Sequence, residues 1–166
     1  MFLNRNINIL NNFNQNLLVV SFFIIYLLIG ISIVEDYGIA FDENMQRDLA
    51  QNRIDYISAF ISQIFFSSDK QFNNTILKWP EYGVAFELPI LWFEKILRIT
   101  DIQSQYFFRH YMIFIASFFG SIFFYFLVLK RFKSWKIALL GTLFLITSPR
   151  IFSASFYNSK DIIFMY

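Results

Sequence analysis

Residues 17–34 read LLVVSFFIIYLLIGISIV, eighteen positions without a charged side chain. A helix over this stretch would be about 27 Å long, close to the ~30 Å hydrocarbon core of a bilayer. Upstream lie sixteen Asn-rich residues with a single cation, Arg5. Downstream, Glu35, Asp36 and Tyr37 stand where a signal peptidase would need small residues. The segment therefore reads as an uncleaved anchor rather than a signal peptide. The composition of the whole chain agrees. Of 166 residues, 57% are apolar and only 16% charged, and Phe occurs 24 times. A soluble domain carries about 25% charged residues, and a disordered chain lacks this apolar content. Cysteine is absent, which removes disulfides and thiol chemistry, and a net charge of +2 is too balanced for a nucleic-acid binder. An integral membrane protein remains, and the expected fold class is an all-α polytopic transmembrane bundle.

Working outward, further spans are expected at 110–129 and at 137–149 or beyond, with a fourth apolar run opening near residue 161. The chain reads as the N-terminal part of a longer polytopic protein. Lys130, Arg131, Lys133 and Lys136 crowd the short connector after the second span, and such density marks the cytoplasmic side. Residues 35–109 would then be a long outer loop, whose seven Lys/Arg do not decide orientation because long loops cross largely regardless of charge. A loop of this length needs structure of its own. In 55–66, Ile57, Phe60, Ile61, Ile64 and Phe65 repeat at helical spacing. In 86–99, Phe86, Ile90, Phe93, Ile96 and Leu97 share one face, with Glu87, Glu94, Lys95 and Arg98 opposite. Both read as short amphipathic helices lying in the membrane interface. Residues 67–83 between them read as a loop. The triplet Asn73-Asn74-Thr75 fits a glycosylation pattern, but an Asn-rich chain produces such triplets by chance.

The densest acidic cluster, Glu35, Asp36, Asp42, Glu43 and Asp48, follows the first span. Charges at a helix centre cost about 2.5–3.5 kcal/mol each on insertion scales, so the chain should leave the bilayer near Val34. Asp42 and Glu43 then lie at the membrane boundary near Arg47, where a carboxylate can serve as a general base. Taken alone, the pair reads first as a hydrated acidic loop. A second polar cluster, 149–161, holds Arg150, Lys160 and Asp161, and Arg109 opens the second span. Cations gathered on one face suit a phosphate, though singly each reads as an interface anchor, and Asp161 as a helix-dipole charge. His110, the only histidine, reads as a boundary residue. Gly-rich phosphate loops and paired metal-binding histidines are missing from the sequence.

The run YGIAFDENMQR (37–47), after an N-terminal span, resembles the acidic first-loop motif of GT-C glycosyltransferases, the group that includes protein O-mannosyltransferase and aminoarabinose-transferase-like enzymes. YGVAFE (82–87), Arg109 and SPRIFSASFYNSKDIIF (148–164) are also similar to bacterial members, in the same order. The resemblance implies an enzyme of the bacterial inner membrane, active on its extracytoplasmic face. It implies a polyprenyl-phosphate sugar as donor and a protein or glycolipid as acceptor. Asp42 or Glu43 would be catalytic, Asp161 the acidic residue of the second outer loop, and Lys160, Arg109 or Arg150 would meet the lipid phosphate. The implied mechanism is inverting displacement with Asp42 as base. No metal ligand set stands out, and a divalent-metal cofactor stays open. Members of the group have more spans than this chain completes, so the chain alone is expected to be inactive. The other classes consistent with the sequence are a transporter or channel subunit, which would need ionisable groups at mid-membrane, and a non-catalytic membrane assembly protein.

Overall fold

The computed structural model describes residues 2–66 and 83–165, and side chains from residue 14 onward except 163 and 164. The expected loop 67–83 and the Asn73 triplet thus fall, apart from Gly83, outside the described residues. The described residues are all-α, with no strand among them. Helix α1 (Phe2–Ile33) ends in a 3-10 turn, Val34–Asp36. It therefore stops where the acidic cluster forces the chain out of hydrocarbon, although it begins well before Leu17. Next come α2 (Glu43–Phe66), α3 (Glu87–Ile96), α4 (Ile102–Phe132), α5 (Trp135–Thr147), α6 (Pro149–Tyr157) and α7 (Asp161–Met165).

Two helical segments, Asn14–Asp36 and Ile102–Phe132, are long and apolar enough to cross a membrane. The pair α5 and α6, bent by 68°, supplies a third crossing if it counts as one span. Around α1, Leu17, Ile25 and Leu28 project outward with more than half their surface exposed, as lipid-facing side chains would. Phe23, Tyr26 and Val34 turn inward to α4 and α6.

Helix α4 extends beyond the expected 110–129 at both ends because both ends are capped. Asp101 accepts the Ser104 backbone N–H at 2.9 Å, and Lys133 closes the other end in the left-handed region (φ 51°). Lys130 and Arg131 in the last turn complement the helix dipole. Arg109 and His110 consequently sit about two turns inside α4, not at its mouth. The third apolar run, expected over 137–149 or beyond, breaks at Ser148, and Pro149 starts α6. Ser148 before it is extended (φ −60°, ψ 120°), the conformation a following proline favours, and proline suits a first helical turn. This break redirects the chain so that α6 packs on α4.

The core is aromatic. Phe156 lies between Tyr37 (centroids 4.4 Å apart) and Phe114 (5.1 Å), all three rings nearly parallel. The Phe114 ring rests directly on Gly30, where an added Cβ would stand 1.8 Å from its Cζ. Only glycine permits α1 and α4 to approach this closely.

Candidate functional site

At the end of the bundle where α1 stops, α2, α3, α4 and the α6–α7 corner bring charged side chains together. Glu43 is the first residue of α2. Its carboxylate turns back to accept the Ala40 N–H at 3.0 Å, while its own N–H donates to the Ala40 carbonyl at 3.2 Å. This reciprocal pairing fixes the helix start and holds the carboxylate inward, 2% exposed. Arg109, fully buried, lies between two carboxylates. Its Nη2 is 2.5 Å from Glu87 Oε2, and its Nε is 3.7 Å from Glu43 Oε1. His110 Nε2 is 3.1 Å from Glu43 Oε1. The Ser159 hydroxyl contacts both the Gln46 amide oxygen and Glu87. A bridge from Arg47 to Glu94 (2.7 Å) ties α2 to α3. Tyr106 donates to Asn44 and so ties α4 to α2.

Charges this deep must be paired, because each alone would carry an uncompensated desolvation penalty. The arrangement is therefore a rigid frame. At its rim stands Asp42, half exposed. It accepts from the Gln46 amide at 2.9 Å and faces Lys160 Nζ at 3.6 Å. Asp42 is thus the carboxylate within reach of a substrate, and Glu43 is the one locked behind it.

Of the residues singled out in the sequence, Asp42, Glu43, Arg109 and Lys160 come together in this network. Arg150 and Asp161 do not join it. They line a neighbouring 460 Å³ pocket with Tyr157 and Asn158, and Asp161 accepts from the Asn158 side chain at 3.0 Å. Arg109 requires a correction as a phosphate ligand: fully buried and held between Glu43 and Glu87, it presents nothing to a lipid headgroup in this conformation. His110 is likewise not a boundary residue but a buried partner of Glu43. Helix α3 does not divide into an apolar and a polar face as expected: Ile90 and Leu91 are buried together with Glu87 and Glu94, and Lys95 is exposed. Glu87 and Glu94 point into the protein, 4% and 3% exposed, while Trp92, Phe93, Ile96 and Leu97 face outward. An amphipathic helix does not say which of its faces meets protein, and here the buried Arg109 and the partly buried Arg47 decide it.

Glu87, Glu94, Gln46 and Ser159 were not assigned to the site from the sequence. One signal was present: YGIAFDE (37–43) and YGVAFE (82–87) echo each other, and the helices that follow them contribute the two carboxylates flanking Arg109. Among the described residues, no group of His, Asp or Glu side chains forms a metal site. Near the rim, burial and then the neighbouring Tyr157 push the Tyr37 hydroxyl above its ordinary value, which keeps it neutral. Comparison with known protein families, with curated proteins and with solved structures finds no match.

Proposed function

We propose that this chain is part of a membrane glycosyltransferase that moves a sugar from a polyprenyl-phosphate donor to an acceptor on the extracytoplasmic face. The observation that carries the reading is the partly exposed Asp42–Lys160 pair (3.6 Å), mounted on a buried ionic frame at one end of a spanning bundle. A donor held by its lipid presents its reactive bond at headgroup height, and a base and a cation are needed there together. In the proposed reaction an acceptor oxygen or nitrogen attacks the anomeric carbon. The bond from that carbon to the phosphate oxygen breaks, and the lipid phosphate leaves with the electron pair. Asp42 takes the acceptor's proton, Lys160 stabilises the leaving phosphate, and Arg150 at the adjacent pocket is a second cation for the lipid headgroup. Glu43, Arg109, Glu87 and His110 position Asp42.

The test is Asp42→Asn in the protein in its native membrane, assayed by transfer from labelled polyprenyl-phosphate sugars. Loss of a general base lowers the rate by about 10²–10⁴, with membrane insertion unchanged. Near wild-type transfer would remove Asp42 as the base. A second reading, a proton-coupled transporter, is favoured by one observation: Arg109 and His110 are ionisable groups buried within a spanning helix. It predicts proton uptake into protein-loaded vesicles that Asp42→Asn leaves intact.

A further inference from the structure

Asp42 and Lys160 belong to two separate segments, the turn into α2 and the α6–α7 corner, and 3.6 Å separates their charged atoms. Partly exposed side chains hold such a distance poorly by themselves, because each gives up rotamer freedom for a screened attraction. Beside them lies a second pair that is buried. Gln46 and Ser159, 113 positions apart in the chain, are each 5% exposed. Gln46 stands one helical turn after Asp42, and its Nε2 donates to Asp42 Oδ2 at 2.9 Å. Its amide oxygen accepts from the Ser159 hydroxyl, which also meets Glu87. Ser159 is the residue immediately before Lys160.

The chemistry of these groups fixes the orientation of the amide. An ionised carboxylate only accepts hydrogen bonds, so the NH2 side of Gln46 must face Asp42. The amide oxygen is thereby turned to Ser159, which has a hydrogen to give it, while Glu87 keeps Arg109 as its cation. We propose that Gln46 and Ser159 are positioning residues: their hydrogen bond registers the base against the cation and selects which oxygen of Asp42 works. This inference rests on the transfer reading and deepens it. Gln46 and Lys160 both meet Asp42 at Oδ2. With that oxygen engaged, Oδ1 is the one left to take the acceptor's proton. Ser159 acts on both partners, on Asp42 through the Gln46 amide and on Lys160 through the adjoining peptide bond. Both residues are too deeply buried to touch a substrate, so they act by holding geometry. A displacement on the order of 1 Å at a reacting group can cost about 10²-fold in rate.

The experiment has two arms, both on the protein in its native membrane. In the first, transfer from labelled polyprenyl-phosphate sugars is measured over a range of donor concentrations. Gln46→Met keeps the length of the side chain and removes the amide. It should lower kcat about tenfold to a hundredfold and leave KM for the donor within about twofold, while melting like the parent. Ser159→Ala should lower kcat in the same way, and Ser159→Thr, which keeps the hydroxyl, should restore it. If Ser159→Ala fails to fold, Gln46→Met carries the test, because Asp42 retains Lys160 and Ser159 retains Glu87 as partners. In the second arm, Asp42→Cys and Lys160→Cys are combined in the otherwise cysteine-free chain and bridged with a short bismaleimide. Adding Ser159→Ala should lower the yield of bridged protein several-fold, and adding Ser159→Thr should not. This arm needs no turnover, so the two readings fail separately. A parent that transfers none of these sugars removes the transfer reading, whereas bridging still decides whether Ser159 registers the two side chains. The proposal is overturned if Gln46→Met transfers at the parent's kcat, if its loss lies wholly in KM, or if Ser159→Ala leaves bridging unchanged.

Discussion

Arg109 is the residue on which the frame depends. It is fully buried and balances both Glu43 and Glu87. Arg109→Ala would leave two carboxylates buried without their cation, a change that costs about 3–5 kcal/mol in comparable pairs. The expected outcome is a large fall in melting temperature in detergent, whereas Lys160→Ala, at a partly exposed pair, should move it little. Asp101 gives a pH-dependent counterpart. Hydrogen bonds from the Ser104 backbone and then its hydroxyl hold its carboxyl below the ordinary aspartate value. A depressed folded-state value stabilises the fold above the unfolded value, and the effect is lost as pH falls through the folded one. The first turn of α4 in the parent should therefore be better protected from hydrogen exchange than in Asp101→Ala near neutrality. That difference should begin to shrink once the pH falls below about 4, the ordinary aspartate value, and vanish below the depressed folded-state one.

Among the elements, α1 and α4 meet through a contact that tolerates no addition. Gly30→Ala would place a methyl group inside the Phe114 ring, which is itself wedged against Phe156. Overpacking of this kind costs about 1–3 kcal/mol, and helix propensity, which favours alanine, would recover at most about 1 kcal/mol. Gly30→Ala should thus lower the melting temperature. Gly141→Ala, whose added Cβ would meet Val128 at an ordinary 3.8 Å, should not. Helix α3 shows the same dependence on neighbours. Its sequence yields two faces, but Arg47 and Arg109 draw Glu94 and Glu87 inward. Its outward residues Trp92, Phe93 and Ile96, like Ile64 and Phe65 of α2, are left exposed, as a helix resting on lipid would leave them.

For the whole molecule, the acidic cluster and Lys160 share one end, a relation recorded directly by the Asp42–Lys160 and Ser159–Gln46 contacts. The Lys130–Lys136 connector lies across the length of α4 from them. Because cysteine is absent, single cysteines can be introduced without background. Replacements at Asp36 and Lys160 should react with a membrane-impermeant thiol reagent from the same side, and one at Lys133 only from the other. From the density of cations in the connector, the expected outcome is that the Lys133 replacement is the one labelled from the cytoplasmic side. Labelling of Lys133 and Lys160 replacements from a single side would dismantle the arrangement proposed for transfer.

The sequence by itself determined the membrane class, the all-α architecture, the point where the first span ends and the start of the last helix at Asp161. These follow from local properties: apolar length, helical spacing and the cost of placing charge in hydrocarbon. It also drew attention to Asp42, Glu43, Arg109 and Lys160 as charged neighbours of the spans. Only the tertiary structure decided that Asp42 is open while Glu43 is closed, that Arg109 is a clamp rather than a surface cation, and that α3 turns its acids inward. Those outcomes depend on which charges from distant segments are buried together. Burial converts an ordinary surface charge into one that must find a partner, and no local pattern records where that partner lies.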